Sequence, residues 1–411
     1  MPRIDQLVIE LRDAHWLGAG RAASWARVLA IMSVLSALTL VMLTHGGRMP
    51  DPWHRPLAPD FVSFWTAAKL ALAGTPEAAW NPVAQAAAEQ ANFVPLLGYG
   101  ADYYAFFYPP PFLLICLPLA LLPYGLAVVA WLATTGVVCY AVVRALLPRR
   151  WPTILAFLAF PALSINAWNG QNGALSAALL GAAALQMDRR PKIAGACLGA
   201  LCFKPQLALL VVPALIAARR FQVLGCAALA MSTLCLVSLL VFGKSAWQGF
   251  LSATPLARAA MEFGWVGFAK MVSTFAAARR LGLSNTDAWA AQAIVSAAVL
   301  IITLAVACRR PGERAEGAML ATGACLMTPF VLDYDLMLLA IPLAWVVTEA
   351  EQTVYLPWEK LILASAFLLP MVTRSLATWA GASVAPLVLM ALLGVVVRRA
   401  WPVPAASMCS A

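Results

Sequence analysis

Apolar stretches long enough to cross about 30 Å of hydrocarbon recur along nearly the whole chain, separated by short polar or basic breaks. Read as helices, they predict spans at approximately 26–44, 124–147, 151–167, 173–187, 192–203, 205–218, 221–242, 288–308, 315–331, 336–348, 360–378 and 382–398. The first follows a polar leader and has no small-residue cleavage site, so it reads as an uncleaved signal anchor. Basic clusters bound the later windows: Pro148-Arg149-Arg150, Arg189-Arg190-Pro191-Lys192, Arg219-Arg220, Arg309-Arg310 and Arg398-Arg399. The positive-inside rule puts each cluster in the cytoplasm, with both termini. It also decides the segment 109–123, which is apolar but short and proline-rich. A crossing there would move Arg149-Arg150 and Arg189-Arg190 outside, so an external interfacial or re-entrant helix is expected. The fifth and sixth spans are too short to cross fully, and Lys204-Pro205 would form their external tip. Broken helices of this kind are tolerated where protein buries them or a cavity passes them. A single long helix kinked at Pro205 is the alternative, but it puts the downstream basic clusters on the wrong side.

Composition agrees with this pattern. Hydrophobic residues make up 63% of the 411 and charged residues only 11%, with a mean hydropathy of +0.82. A soluble domain carries roughly 25% charged residues, so this material cannot build a water-soluble surface. The expectation is an all-α polytopic membrane protein of about twelve transmembrane helices. It forms a single integral membrane domain over 1–411, with larger external loops at 45–108 and 243–287. Loops longer than about 15 residues in a compact protein are usually functional. His15, His45 and His54 are scattered, and the nine cysteines form no CxxC pair. No metal site, disulfide framework or cofactor is expected. The net charge of +10 is read by its position, and the expected partners are membrane lipids, not nucleic acid.

Candidate chemistry gathers in the external connections. Pro59 followed by Asp60 suits a helix start, with Asp60 near the N-cap of an amphipathic helix lying at the interface and carrying Trp65. Asp60 would serve either as a reactive carboxylate at the membrane–water boundary or only as a cap. The run Tyr103-Tyr104-Ala105-Phe106-Phe107-Tyr108-Pro109-Pro110-Pro111-Phe112 is either an interface belt or a surface on which a sugar ring stacks. The turn Asn166-Ala167-Trp168-Asn169-Gly170-Gln171-Asn172-Gly173 is a dense amide patch able to hold hydroxyls, or simply a tight turn. Lys204 could pair with a lipid phosphate or snorkel to water. Asp333 and Asp335 flank Tyr334 at a helix boundary, where they could bind hydroxyls or cap the helix. Arg258, Lys270, Arg279 and Arg280 are external cations against the charge trend, and binding an anionic headgroup would account for them.

These residues resemble glycosyltransferase family 87, the polyprenyl-phosphate-mannose-dependent mannosyltransferases of bacteria, from about Pro59 to Leu339. The resemblance rests on Pro59-Asp60-Phe61-Val62-Ser63-Phe64-Trp65 and on Tyr108-Pro109-Pro110 with Pro118-Leu119 and Leu122-Pro123. It rests also on Gly170-Gln171-Asn172, and on Ala194-Gly195 through Lys204-Pro205-Gln206. Where members often carry a proline and a polar pair, sometimes two histidines, this chain has Asp333-Tyr334-Asp335. The resemblance implies a GT-C-type fold, an external active site in the bacterial plasma membrane and a lipid-phosphate-linked sugar donor. Asp60 would be the general base. Lys204, Arg258 and Lys270 are the candidates for the donor phosphate. Trp65, Tyr108, Asn169, Gln171, Asn172, Asp333 and Asp335 are the candidates for sugar and lipid or glycan acceptor, with Asp335 and Asp102 as reserve bases. One base and one anion clamp suffice for an inverting displacement. A departing phosphate can be held by Lys or Arg without a divalent metal. A lipid-linked sugar transporter or flippase is the rival class. Transporters commonly repeat their discontinuous helices, and no second copy of the Pro-Asp-Phe or Lys-Pro-Gln pattern is present.

Overall fold

A computed structural model describes residues 2–46, 56–93, 103–149 and 151–401, so Asp102, His54 and Arg150 lie outside the described residues. These residues are helical throughout, with one isolated antiparallel bridge between Met271 and Leu332. In chain order the helices are α1 (Pro2–Asp13), α2 (Ala19–Leu43), α3 (Phe61–Leu72), α4 (Pro82–Phe93), α5 (Pro110–Cys116) and α6 (Tyr124–Leu146). Next come α7 (Thr153–Ala159), α8 (Pro161–Asn169), α9 (Gly173–Ala184), α10 (Pro191–Ala200), α11 (Ala208–Ala217) and α12 (Phe221–Glu262). The last are α13 (Thr274–Arg280), α14 (Asn285–Cys308), α15 (Glu313–Met327), α16 (Ala340–Gln352), α17 (Glu359–Trp379) and α18 (Ala385–Ala400). The chain is thus an all-α polytopic membrane protein.

Among the described residues five helices are long and apolar enough to cross a membrane alone: α2, α6, α12, α14 and α17. They turn bare aliphatic side chains outward, among them Leu35, Leu38, Leu229, Leu240, Ile294 and Ile301. Such a surface is stable against lipid and unfavourable against water. The remaining expected spans are shorter. Helix α9 has 12 residues, α15 has 15 and α16 has 13, so α9 is only roughly 18 Å long at 1.5 Å per residue. These three are sheathed by protein, with nearly every residue of α15 buried. Their length need not match a lipid core, because their ends meet other protein segments.

Three boundaries differ from the hydropathy pattern. The expected helix 151–167 breaks between α7 and α8 at Phe160, whose ψ is 113°. Pro161 has no amide hydrogen and pushes the residue before it out of the helical region. Helix α12 runs past the expected end at 242, but turns sharply at Gly243, at φ 74° and ψ 175°. Its second part forms an outer helix within the 243–287 loop. The expected span 336–348 opens with a tighter 3₁₀ segment, Asp333–Leu339, before α16.

The basic clusters meet at one end of the bundle. Arg220 binds Asp188 at 2.7 Å and also Glu316, while Arg310 Nε donates to the Ala218 carbonyl at 2.8 Å. Arg399 binds Glu359 at 2.6 Å, and Arg309 lies 3.7 Å over the Trp401 ring. Thr348 donates to the Leu146 carbonyl at 2.8 Å, which brings the end of α6 alongside. Helices α10 and α11 both have their open ends here, so Lys204 marks the far tip of a V. The segment 109–123 leaves from and returns to the same end. Its flanks both lie at the far end, where Tyr108 OH donates to Gln171 and Tyr124 OH to the Leu57 carbonyl.

Candidate active site

The far end is assembled around the start of α3. Tyr124 OH donates to the carbonyls of Leu57 and Ala58, at 2.6 and 3.0 Å, and holds the chain into the turn. Ala58 sits in the left-handed region, at φ 53°, directly before Pro59. The Asp60 amide donates to the Asn169 carbonyl at 3.0 Å, so the turn between α8 and α9 docks on the start of α3. Gly170 makes that approach possible. Its φ is 70°, and a Cβ there would fall 2.6 Å from the Phe61 Cβ and 2.8 Å from the Ala58 Cβ. Trp131 Nε1 donates to the Gly170 carbonyl from behind, at 3.1 Å.

This docking aims the amide patch at the carboxylate. Gln171 Nε2 donates to Asp60 Oδ2 at 2.9 Å, and Gln171 Oε1 accepts from Tyr108 OH at 3.1 Å. Asp60 occupies the N-cap position of α3, yet its side chain makes no bond to the first-turn amides. Asn172 is fully buried beside the Tyr108 hydroxyl, but neither its Oδ1 nor its Nδ2 completes a hydrogen bond of full geometry. A buried amide this weakly engaged is costly, and it keeps hydrogen-bonding capacity for whatever enters.

A second wall comes from the C-terminal half. Val272 N donates to the Val331 carbonyl at 3.0 Å, and Asp333 N to the Lys270 carbonyl at 2.9 Å. That short antiparallel pairing fixes Lys270 beside Asp333. Asp333 Oδ2 accepts from Arg374 Nε at 2.8 Å and pairs with Nη2 at 2.6 Å, while its buried Oδ1 completes no bond of full geometry. Asp335 pairs with Lys204 through Oδ1, and its Oδ2 accepts from the Leu332 amide at 3.1 Å. The Lys204 ammonium lies 5.7 Å over the Tyr334 ring. Burial pushes the Asp60 carboxyl above the usual aspartate range. Lys270, the Gln171 hydrogen bond and Arg374 pull against that rise.

The other candidates lie differently. Lys204 is buried and tied to Asp335 instead of reaching water. Exposed Arg258 binds Glu262 at 2.8 Å and lies over Trp289. Trp65 is buried one turn along α3, donating to the Leu122 carbonyl at 3.1 Å and packing on Phe93 and Tyr124. Asn169 spends its side-chain amide on the Ile165 carbonyl at 2.7 Å. Within the aromatic stretch 103–108 Phe106 is buried against Phe64, as is Phe112 beyond it, the rest of the stretch is half-buried, and the Tyr108 hydroxyl enters the amide chain. A separate cavity of about 520 Å³ opens between the end of α3 and the Gly243 bend, lined by Ala71, Leu72, Glu77, Leu117 and Phe242. It holds none of these carboxylates. Among the described residues no three His, Cys, Asp or Glu side chains group as metal ligands would.

Arg374 is the site residue missed in the sequence pattern. The signal was present: it is an ionisable side chain inside the predicted span 360–378, and such residues are rarely idle.

The family model for glycosyltransferase family 87 matches residues 106–332, more than half of the chain. The matched stretch holds Tyr108, Gln171, Asn172, Lys204 and Lys270, while Asp60, Asp333, Asp335 and Arg374 flank it. No curated protein and no solved structure matches the chain.

Proposed function

Because the chain belongs to glycosyltransferase family 87 and is therefore a membrane glycosyltransferase, we propose that it moves a hexose, mannose, from a polyprenyl-phosphate donor to a lipid or glycan acceptor, with inversion and Asp60 as general base. The observation that carries this reading is the Asp60 carboxylate. It is held through one oxygen by Gln171, has no ion-pair partner among the described residues, and stands in a wall of amide, phenol and cationic groups. The acceptor O–H gives its proton to the carboxylate while its oxygen attacks the anomeric carbon. The bond from that carbon to the phosphate oxygen breaks, and polyprenyl phosphate leaves. A carboxylate raised above its ordinary pKa is a better base for this step, provided it is ionised when the acceptor arrives.

Gln171 and Tyr108 hold Asp60 in place, and the weakly engaged Asn172 amide takes a hydroxyl of the sugar or acceptor. Of the three candidate cations for the phosphate, Lys204 is committed to Asp335 and Arg258 to Glu262. Lys270 has no carboxylate partner among the described residues and is kept. The fold is of the GT-C type. The positive-inside rule assigns the basic end to the cytoplasm of a bacterial cell, with both termini, and the Asp60 end to the external face.

The test is transfer by the purified protein in lipid, with a series of polyprenyl-phosphate hexoses and lipid and glycan acceptors. Asp60→Asn is expected to lose turnover by a factor on the order of 10² or more, while it still binds the donor. Near wild-type transfer by folded Asp60→Asn would remove Asp60 from the base role.

A further inference from the structure

We infer that Arg374 and Lys270 together hold the phosphate of the donor lipid, and that Asp333 is the positioning residue that sets both cations. The inference deepens the proposed function and rests on its donor class.

Arg374 comes from α17, which supplies none of the other site residues named so far. Its neighbours Val372, Leu376 and Trp379 are bare apolar side chains of a lipid-facing helix. A guanidinium at this depth is costly unless it has a partner and a use. The partner is Asp333, whose Oδ2 takes both Nε and Nη2. The two side chains are unequally sealed. Asp333 is 1% exposed, whereas the Arg374 side chain is 40% exposed, and its Nη1 makes no bond to the protein among the described residues. The carboxylate therefore fixes the guanidinium plane from behind and leaves one edge open in front. The same Asp333 donates its amide to the Lys270 carbonyl, so one residue orients both cations, by side chain and by backbone. Lys270 is half-buried with no carboxylate partner among the described residues, and both cations act on Asp60.

The chemistry asks for two cations. A polyprenyl-phosphoryl sugar is a phosphodiester with one negative charge. When the bond between the anomeric carbon and oxygen breaks, both electrons stay on the phosphate, which becomes a monoester carrying a second charge. The acceptor's proton goes to Asp60, so no further reactant is needed. Lys270 balances the charge already present. The open edge of Arg374 meets the charge that develops, where a fixed planar donor acts as a preorganised partner.

The first experiment uses the full wild-type chain in lipid nanodiscs and reads modification of Arg374 by an arginine-selective dicarbonyl, by mass spectrometry. Polyprenyl phosphate should slow it, and polyprenol at the same concentration should not. Inorganic phosphate should slow it only at far higher concentration. Equal protection by polyprenol would show that the lipid merely covers Arg374, and would overturn the inference. The second measures equilibrium binding. Arg374→Gln should weaken polyprenyl phosphate on the order of tenfold or more and the donor by less, because the monoester carries the extra charge. Arg374→Lys should restore part of the loss. Folded Arg374→Gln with wild-type affinity for polyprenyl phosphate would sink the inference while leaving an active enzyme's function intact. A wild-type chain that transfers no sugar but binds polyprenyl phosphate through Arg374 would sink the proposed function and keep the inference.

Discussion

A carboxylate proposed as a general base is tuned by what touches it, and at Asp60 burial and the Gln171 amide oppose each other. Burial raises its pKa, while the hydrogen bond from Gln171 favours the ionised form and lowers it. Activity should therefore fall with acidification at a pH above the ordinary aspartate range. Gln171→Leu should move that acid limb to still higher pH, since it removes a bond made to the charged form. A profile of kcat/KM against pH reads both effects, and an unmoved limb in Gln171→Leu would detach the amide from the base. Glu89 gives a second, stability-linked effect. It is fully buried, accepts from Gln85 at 3.0 Å and the Tyr104 amide at 2.8 Å, and burial pushes it up to about 7. Its folded pKa lies above the unfolded 4.5, so the stability it permits is whole below about 4.5 and is lost as pH rises through about 7. Unfolding followed against pH should show that decline in the wild type and lack it in Glu89→Gln. Asp60 and the Gln171-Asn172 turn were legible in the sequence because each is a local pattern, Pro-Asp at a helix start and amides between two spans. The Asp333–Arg374 pair was not, because it joins residues 41 apart, one between two hydropathy spans and the other inside a later span.

Among elements, α9 meets the 3₁₀ segment Asp333–Leu339 backbone to backbone. A Cβ at Gly173 would fall 2.3 Å from the Tyr334 carbonyl oxygen, and backbone cannot yield as a side-chain tip would. Gly173→Ala should lower the thermal midpoint in detergent and reduce transfer together, since it displaces the wall that carries Asn172 and Tyr334. The V of α10 and α11 is tested by its ion pair. Lys204→Met leaves Asp335 buried without its partner and should cost about 3–5 kcal/mol. Adding Asp335→Leu should recover most of that loss, and a double-mutant cycle from denaturant unfolding measures the difference. The V follows from the charge pattern alone, because any other path strands arginines on the wrong side. Its dry tip was not foreseen, because hydropathy cannot see a carboxylate arriving from residue 335. The break at Phe160 was written in the chain as Pro161, but the apolar window averaged over it.

At the scale of the molecule, two kinds of helix divide the labour. Long helices present bare aliphatic faces outward, and short sheathed ones pack inside, with the candidate site at their ends and on Arg374 of the long α17. A count of spans by length alone therefore finds five among the described residues, where windows of hydropathy suggest about twelve. The pattern of basic clusters was the most legible feature, because it needs no knowledge of packing. Single cysteines at Arg219, Arg309 and Arg398 should label with impermeant reagents only after the cytoplasmic side is opened, whereas Asn169 and Ser252 should label on intact cells. Labelling of Asn169 from the cytoplasm would reverse the assignment of the two ends. The Lys204–Asp335 pair has a further consequence for the order in which the protein is made. Its partners are separated by 131 positions, so the ribosome completes the lysine's helices well before the aspartate exists. Until the later segment is inserted, the half-finished chain carries an uncompensated cation at the tip of two helices each too short to cross. That intermediate should depend on the insertion machinery for shelter. A nascent chain stalled after Met327 should remain crosslinked to that machinery, and one stalled well beyond Gln352 should be released.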